Sequence, residues 1–316
     1  MTPGDTAHRL PDSARSFADG DLRFEFSDRA DDGVLDAFYP AYDRAFVLEN
    51  EKEQKEGFRE CLALNRGPLH AELTVRHGPF IELIAVAREA AGGPVLGGAN
   101  LLALGTDDVR AGPAPPSVNL NYLFVDPACR GRGIAGRIQA ACDAAVAAWA
   151  GEVTATGPGL TFLEINDPFR LTPAQYRRDS EHAGIDQVAR LGYWARCGAR
   201  VIDWPYVQPA LSASQGDDDT LALAVIGAPA AQLPARTLFA HLQRFFAISV
   251  LKGRPLPTSP GAVRQLERLA GLALEGTALD LLPLDVDLRL VADQARRTGA
   301  HRPPNLQAAL RDLAGA

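Results

Sequence analysis

The sequence predicts an α+β fold, with strands and helices interleaved through the first two thirds of the chain and a helical extension behind them. Three observations carry this. The stretch 118–137, VNLNYLFVDPACRGRGIAGR, joins a strand, a basic glycine loop and a helix. Between residues 21 and 229, apolar runs of period two and period 3.6 follow one another in the order β, α, α, β, β, β, α, β, α, β, β. Beyond Gly227-Ala228-Pro229 only helical spacing continues. The chain therefore divides into a flexible tail at 1–20, a folded domain at 21–229 and a helical appendage at 230–316.

Composition narrows the function. In a chain of 316 residues, 47% hydrophobic and 22% charged content fits a globular protein rather than a disordered one. No apolar run reaches the length of a membrane span, and the opening MTPGDTAHRLPDSARSF lacks the apolar core of a secretory signal, so a cytoplasmic protein without a membrane partner is expected. Cys61, Cys129, Cys142 and Cys197 form no CxxC pair, which predicts reduced thiols and neither a disulfide frame nor a metal site. A net charge of −7 argues against nucleic acid as a partner and suits an amine-bearing one.

Taken in order, the polar and small residues up to about 20 read as the tail. Leu22 to Phe26 alternate as a strand. Asp31 and Asp32 are placed to cap a helix whose apolar stripe is Leu35, Phe38, Tyr42 and Phe46; Pro40 inside it predicts a kink or a break. The charged run 49–60 reads as a solvated helix. Two apolar runs, 80–88 and 94–104, flank Ala-Gly-Gly as a hairpin. The strand at Val118, Leu120, Tyr122 and Phe124 ends at Asp126-Pro127, because proline cannot donate to a ladder. Ile134, Ile138, Cys142 and Trp149 mark the helix behind the loop. A strand at 161–165 leads into the polar segment 169–184, read as a long link and a place for an acceptor. Asp186 caps a helix that stops at Gly198, and strands at 201–207 and 221–226 close the domain around a Ser/Gly/Asp loop. Asp217, Asp218 and Asp219 read there as an exposed turn rather than a cation site. In the appendage, helices are marked by Leu238, Leu242, Phe245 and Val250, by Val263, Leu266 and Leu269, and by Leu306, Leu310 and Leu313, with a proline-rich link at 254–260. They would cover the sheet or form a homodimer contact; the sequence does not choose.

The loop reads as a phosphate cradle, since small residues at a helix start expose orphan amides at the positive end of the helix dipole. Gly131, Gly133 and Gly136 spell GxGxxG, yet that dinucleotide fingerprint belongs after a first strand in repeating βαβ units. A P-loop would need Gly-Lys-Ser/Thr. The combination Val125-x-Pro127 followed by Arg130-x-x-Gly133-x-Ala135 instead resembles the acyl-CoA motif of the GNAT superfamily of N-acyltransferases.

The order of elements over 21–229 is similar to that family. The resemblance implies a mixed, mostly antiparallel sheet flanked by helices, with acetyl-CoA or another short acyl-CoA as donor and a small amine or amino-acid-like molecule as acceptor. It implies that the main chain of Leu123, Phe124 and Val125 pairs with the pantetheine arm. Arg130, Gly131, Arg132, Gly133, Ile134 and Ala135 would then hold the pyrophosphate, and Tyr39 and Tyr42 would lie near the acceptor.

Transfer of an acyl group from a thioester to an amine requires a neutral amine, a polarised carbonyl and a proton for the leaving thiolate. The family's tyrosine acid maps onto Trp194, four residues before Gly198, and its strand carboxylate maps onto Asn119; neither side chain does that chemistry. Tyr193 is the adjacent phenol, about 100° away around a helix. Glu164 is the remaining candidate base, with Asn166, Asp167 and His182 as candidate acceptor contacts. Cys129 reads as loop filler, since direct transfer needs no covalent nucleophile. Two other readings stay open: a catalytically silent acyl-CoA binding module, and a nucleotide-dependent oxidoreductase.

Overall fold

The computed structural model describes residues 9–48, 52–105, 116–151, 159–211, 215–255, 259–295 and 302–314. They form two compact units, the first being Met1–Phe46, Lys52–Leu160 and Ala247–Arg254. The second is Val47–Glu51, Thr161–Phe246 and Pro255–Ala316. No described helix is long and apolar enough to cross a membrane.

The first unit begins with α1 (Asp12–Arg15), β1 (Ser16–Asp19) and β2 (Leu22–Ser27). The expected tail is therefore structured from residue 10 on. Leu10 and Ala14 are buried, β1 pairs antiparallel with β2, and Arg15 reaches the buried Asp28 at 2.8 Å. Composition missed this because few apolar side chains suffice when a partner strand supplies the backbone bonds. Next come α2 (Val34–Ala45), α3 (Lys55–Ala63) and α4 (Gly67–His77). Asp32 accepts from the Val34 amide at 3.2 Å, as its capping role predicts, although the N-cap itself is Gly33 in the left-handed region.

Helix α2 runs through Pro40 unbroken, against expectation. An interior proline costs about 3 kcal/mol or more. Burial of Leu35, Phe38 and Tyr42, at roughly 1.5–3 kcal/mol per large apolar side chain, outweighs it. Helix α3 occupies only the end of the charged run, whose residues 49–51 lie outside the described set. Helix α4 was not anticipated, because Leu73 alone is buried and no apolar stripe announces it.

Strands β3 (Phe80–Glu89), β4 (Gly97–Leu104) and β5 (Ser117–Val125) follow, then α5 (Ile134–Gly151). The strand order is β1-β2-β3-β4-β5, antiparallel throughout. On one face, Ile84, Val86 and Phe124 pack with Leu35, Phe38, Tyr42, Phe58 and Leu62 from α2 and α3.

The second unit contains β6 (Thr161–Asn166), α6 (Pro173–Ala183), α7 (Gln187–Arg196), β7 (Arg200–Ile202), β8 (Leu221–Ile226), β9 (Gln232–Pro234), α8 (Ala235–Phe245), α9 (Pro260–Leu274), β10 (Ala278–Pro283), α10 (Leu288–Ala295) and α11 (Leu306–Ala314). Its strand order is β6-β8-β7-β10-β9, with antiparallel pairings. The polar segment expected as a link is largely helix α6, announced by a capping box in which Thr172 accepts from the Gln175 amide. Strand β7 stops at Ile202, short of the expected 207. The extension carries the expected helices and also two strands. β10 pairs with β7, so strand β10 from beyond residue 229 joins this unit's sheet.

Candidate functional site

In the first unit the cradle is built from β5, the loop behind it and the start of α5. The ladder from β4 slips between Asn100 and Leu101: Asn100 faces Tyr122 while Leu101 faces Leu120. Asn121 is thus the extra residue of a β-bulge, a device that breaks the ladder and re-aims the strand. Gly97 and Gly98 on β4 permit the close approach around it, since a Cβ on either would stand 2.6 Å from the Phe124 or Ala85 carbonyl oxygen.

After Val125, the Asp126 carboxylate accepts from the Ala128 amide at 2.9 Å and starts a 3-10 turn over Pro127–Cys129. Gly131 and Gly133 then take φ of 76° and 72°. A Cβ on either would meet nothing within 4 Å, so conformation rather than space demands glycine there. The first bond to close into α5 runs from the Arg137 amide to the Gly133 carbonyl at 3.2 Å. The amides of Ile134, Ala135 and Gly136 precede it and have no acceptor in their own helix. Loop and helix mouth together present backbone donors of the kind that holds a phosphate.

An antiparallel β2–β5 sheet with helices between β2 and β3, a bulged β5 and a glycine cradle opening α5 decide the architecture. The fold is α+β, built on a mostly antiparallel sheet flanked by helices. The chain is similar to a protein from Bacteroides thetaiotaomicron described as a putative acetyltransferase from the GNAT family, with 15% identity, TM-score 0.43, and coverage of 74% of this chain and 99% of that one. It is also similar to one from Desulfovibrio desulfuricans, at 14% identity and TM-score 0.33 over 65% and 96% of the two chains. A third similarity is to an aminoglycoside 6′-N-acetyltransferase complexed with coenzyme A, at 12% identity and TM-score 0.35 over 66% and 99%. No family model and no curated protein matches the sequence.

The geometry of the cradle weakens the dinucleotide reading. In that fingerprint the third glycine allows close helix–strand packing. Here a Cβ on Gly136 would meet nothing within 4 Å. Beside the cradle, the β1–β2 turn supplies carboxylates to its arginines. Arg137 pairs with Asp19 at 3.0 Å and with Asp21 at 2.6 Å, and Arg132 stands 3.6 Å from Asp21.

In the second unit, Glu164 and Asn166 lie two apart on β6 and so share a face. Glu164 is half-buried and accepts a hydrogen bond from the Tyr206 hydroxyl. Burial pushes its carboxyl up to about 7, against the smaller opposing effect of that hydroxyl. The Asn166 Nδ2 is buried and has no hydrogen-bond partner among the described residues. Asp167 serves the fold: one oxygen accepts from the Phe169 amide and the other from the Leu306 amide at the start of α11, both at 2.9 Å. His182 is exposed on α6. The Tyr193 ring packs edge-on against Trp194 at 4.8 Å, and its hydroxyl lies against the Cys197 thiol.

The aspartate run is engaged in turns. Asp217 accepts from the Ala210 amide, Asp218 from Thr220, and Asp219 pairs with Arg170. Tyr206 was not anticipated, because the breaker-rich Asp203-Trp204-Pro205 before it carries no period. Glu82 was also missed, although a lone carboxylate amid the apolar run FIELIAVA was a visible signal.

The raised Glu164 carboxyl has a consequence for stability. Between its ordinary 4.5 and about 7 the folded state binds the proton more tightly than the unfolded chain. This contribution is present at low pH and lost as pH rises through 7. Glu164→Gln is expected to lessen the fall in Tm between pH 5 and pH 8, as measured by calorimetric melting.

Proposed function

We propose that the protein is an acyl-CoA-dependent N-acyltransferase that moves an acetyl or other short acyl group directly to the amine of a small or amino-acid-like acceptor. The observation that carries this reading is the left-handed pair Gly131 and Gly133 opening the mouth of α5 behind a bulged strand. In this reading the amides from Arg130 to Ala135 hold the pyrophosphate, and the main chain of Leu123, Phe124 and Val125 pairs with the pantetheine arm. The amine nitrogen attacks the thioester carbonyl carbon, the C–N bond forms and the C–S bond breaks. The proton lost by nitrogen goes to Glu164, directly or through water, and the leaving thiolate takes a proton, for which Tyr193 is the proposed donor. Asn166 and His182 are proposed acceptor contacts. Asp167 is retained only as support for the loop behind β6, since both its oxygens are occupied.

Release of free coenzyme A thiol across an amine panel, paired with calorimetry on acetyl-CoA, tests the reading. Absence of binding to any thioester donor overturns it. Tight binding without turnover on any amine would favour the silent module, for which Trp194 and Asn119 at the family's acid and base positions speak. The acidic turn yields a separate expectation. Replacing Asp19 and Asp21 together by Asn frees Arg132 and Arg137 for phosphate, so coenzyme A should bind several-fold tighter at low salt, with the gain fading as salt screens it. Unchanged affinity would remove those arginines from the site.

A further inference from the structure

Glu82 is a fully buried carboxyl near the start of β3, between Ile81 and Leu83. Register places Glu82, Leu102 and Asn119 in one row across β3, β4 and β5, on the face that carries α2 and α3. The Ser249 hydroxyl donates to its Oε1, while Oε2 is buried with no hydrogen-bond partner. The Asn100 amide faces the same carboxyl.

From there a run of amides crosses to the bulge. Asn119 donates to Asn121 at 2.7 Å, Asn121 donates to Asn100 at 2.9 Å, and Asn100 donates to the Leu83 carbonyl at 3.0 Å. Each member presents Nδ2 to the oxygen of the next, so the run has one polarity, and that polarity ends beside Glu82.

The charged and titratable groups around Glu82 are few. Lys252, in the turn 251–253 behind the π-helix Phe246–Val250, pairs with Glu53 at 2.7 Å, and Glu53 itself precedes α3. Cys61 of α3 turns its thiol to the Ser249 carbonyl, and β4 offers only the Asn100 amide. One ammonium thus acts on two carboxyls, and among the described residues its ion pair is with Glu53. A buried carboxylate is costly unless it is paired. Lys252 also holds φ at 52°, in the left-handed region, and such strain persists only where surrounding contacts over-determine it.

We propose that Glu82 is a positioning residue for acyl transfer, fixing through Asn100 and Asn121 the bulge of β5 against which the donor's arm and carbonyl would align. This rests on the acyltransferase reading. As a carboxylate, Glu82 only accepts, which together with the Leu83 carbonyl favours Asn100 Nδ2 on its side and Asn100 Oδ1 toward Asn121. As a carboxylic acid it also donates, competes for Asn100 Oδ1 and disturbs the run. The ionised form is the aligned one, so turnover rises with pH through the Glu82 titration. Burial lifts that titration to about 7, and the Ser249 hydroxyl opposes the lift.

The test compares Glu82→Gln and Ser249→Ala with the wild type, full-length, for kcat and donor KM from pH 5.5 to 9. In Ser249→Ala the carboxylate loses its donor, so the rising limb of kcat should move up by roughly half to one pH unit. In Glu82→Gln the Glu82 contribution to that limb should vanish and leave the Glu164 limb alone, with kcat down about tenfold and donor KM within about twofold. A glutamine variant as active as the wild type, or an alanine variant whose limb stays in place, overturns the proposal. A second readout needs no substrate. The side-chain amide NMR signals of Asn100, Asn119 and Asn121 should follow one common titration in the wild type, shifted upward in Ser249→Ala and absent in Glu82→Gln. Signals indifferent to pH sink the role of Glu82 even if turnover is never found. Failure of acyl-CoA to bind the wild type instead sinks the acyltransferase reading.

Discussion

Gly133→Glu is expected to abolish coenzyme A binding, with affinity falling at least a hundredfold by titration calorimetry. Two effects add. At φ of 72° any L side chain is strained, at a cost of about 1–2 kcal/mol. The new carboxylate would also face the proposed diphosphate at the mouth of α5. Two unit charges about 4 Å apart near a protein surface repel by roughly 4 kcal/mol. The sum exceeds the roughly 2.7 kcal/mol that a hundredfold loss requires. Because a Cβ at this position meets no atom within 4 Å, the fold itself should survive. Gly133→Ala separates the two effects: it carries the strain without the charge and should lose about tenfold or less. Affinity unchanged in the glutamate variant would remove the cradle from the site.

Glu164→Gln is expected to lower kcat by about a hundredfold or more, the usual worth of a positioned general base, and to leave donor affinity unchanged. A base titrating at about 7 is half ionised near neutrality, matched to accepting a proton from an ammonium. The partner variant gives the sign. Tyr206→Phe removes the hydroxyl that favours the carboxylate, so the Glu164 titration rises and its limb in the pH–rate profile moves to higher pH. Glu164 and Glu82, both pushed up to about 7 by burial, each accept from one hydroxyl, Tyr206 for Glu164 and Ser249 for Glu82. The variants Tyr206→Phe and Ser249→Ala therefore assign the limbs separately. Activity equal to the wild type at every pH in Glu164→Gln would discard Glu164 as the base.

Much of the fold was legible where one segment carries its own signal. The alternation of β5, the helix stop at Gly198 and the cap at Asp186 are local, and the structure contains each of them. What escaped was nonlocal. Strand β1 exists because β2 offers it a ladder, α2 survives Pro40 because its aromatic stripe is buried, and β10 is a strand because β7 lies open to it. The capping box at Thr172 was local and readable, yet the polarity of the segment hid it. At the candidate site the glycine cradle was visible as letters, whereas Tyr206, Ser249 and the asparagine run were not.

The sequence by itself determined the strand–cradle–helix unit at 118–137, because the left-handed glycines, the proline stop and the helical apolar spacing are all set by neighbouring residues. Only the tertiary structure decided which carboxyls are tuned toward neutrality and by what. Glu82 and Ser249 lie 167 residues apart, and Glu164 and Tyr206 lie 42 apart. The titration of a carboxyl depends on burial and on donors brought to it through space, and neither quantity exists until the chain has folded.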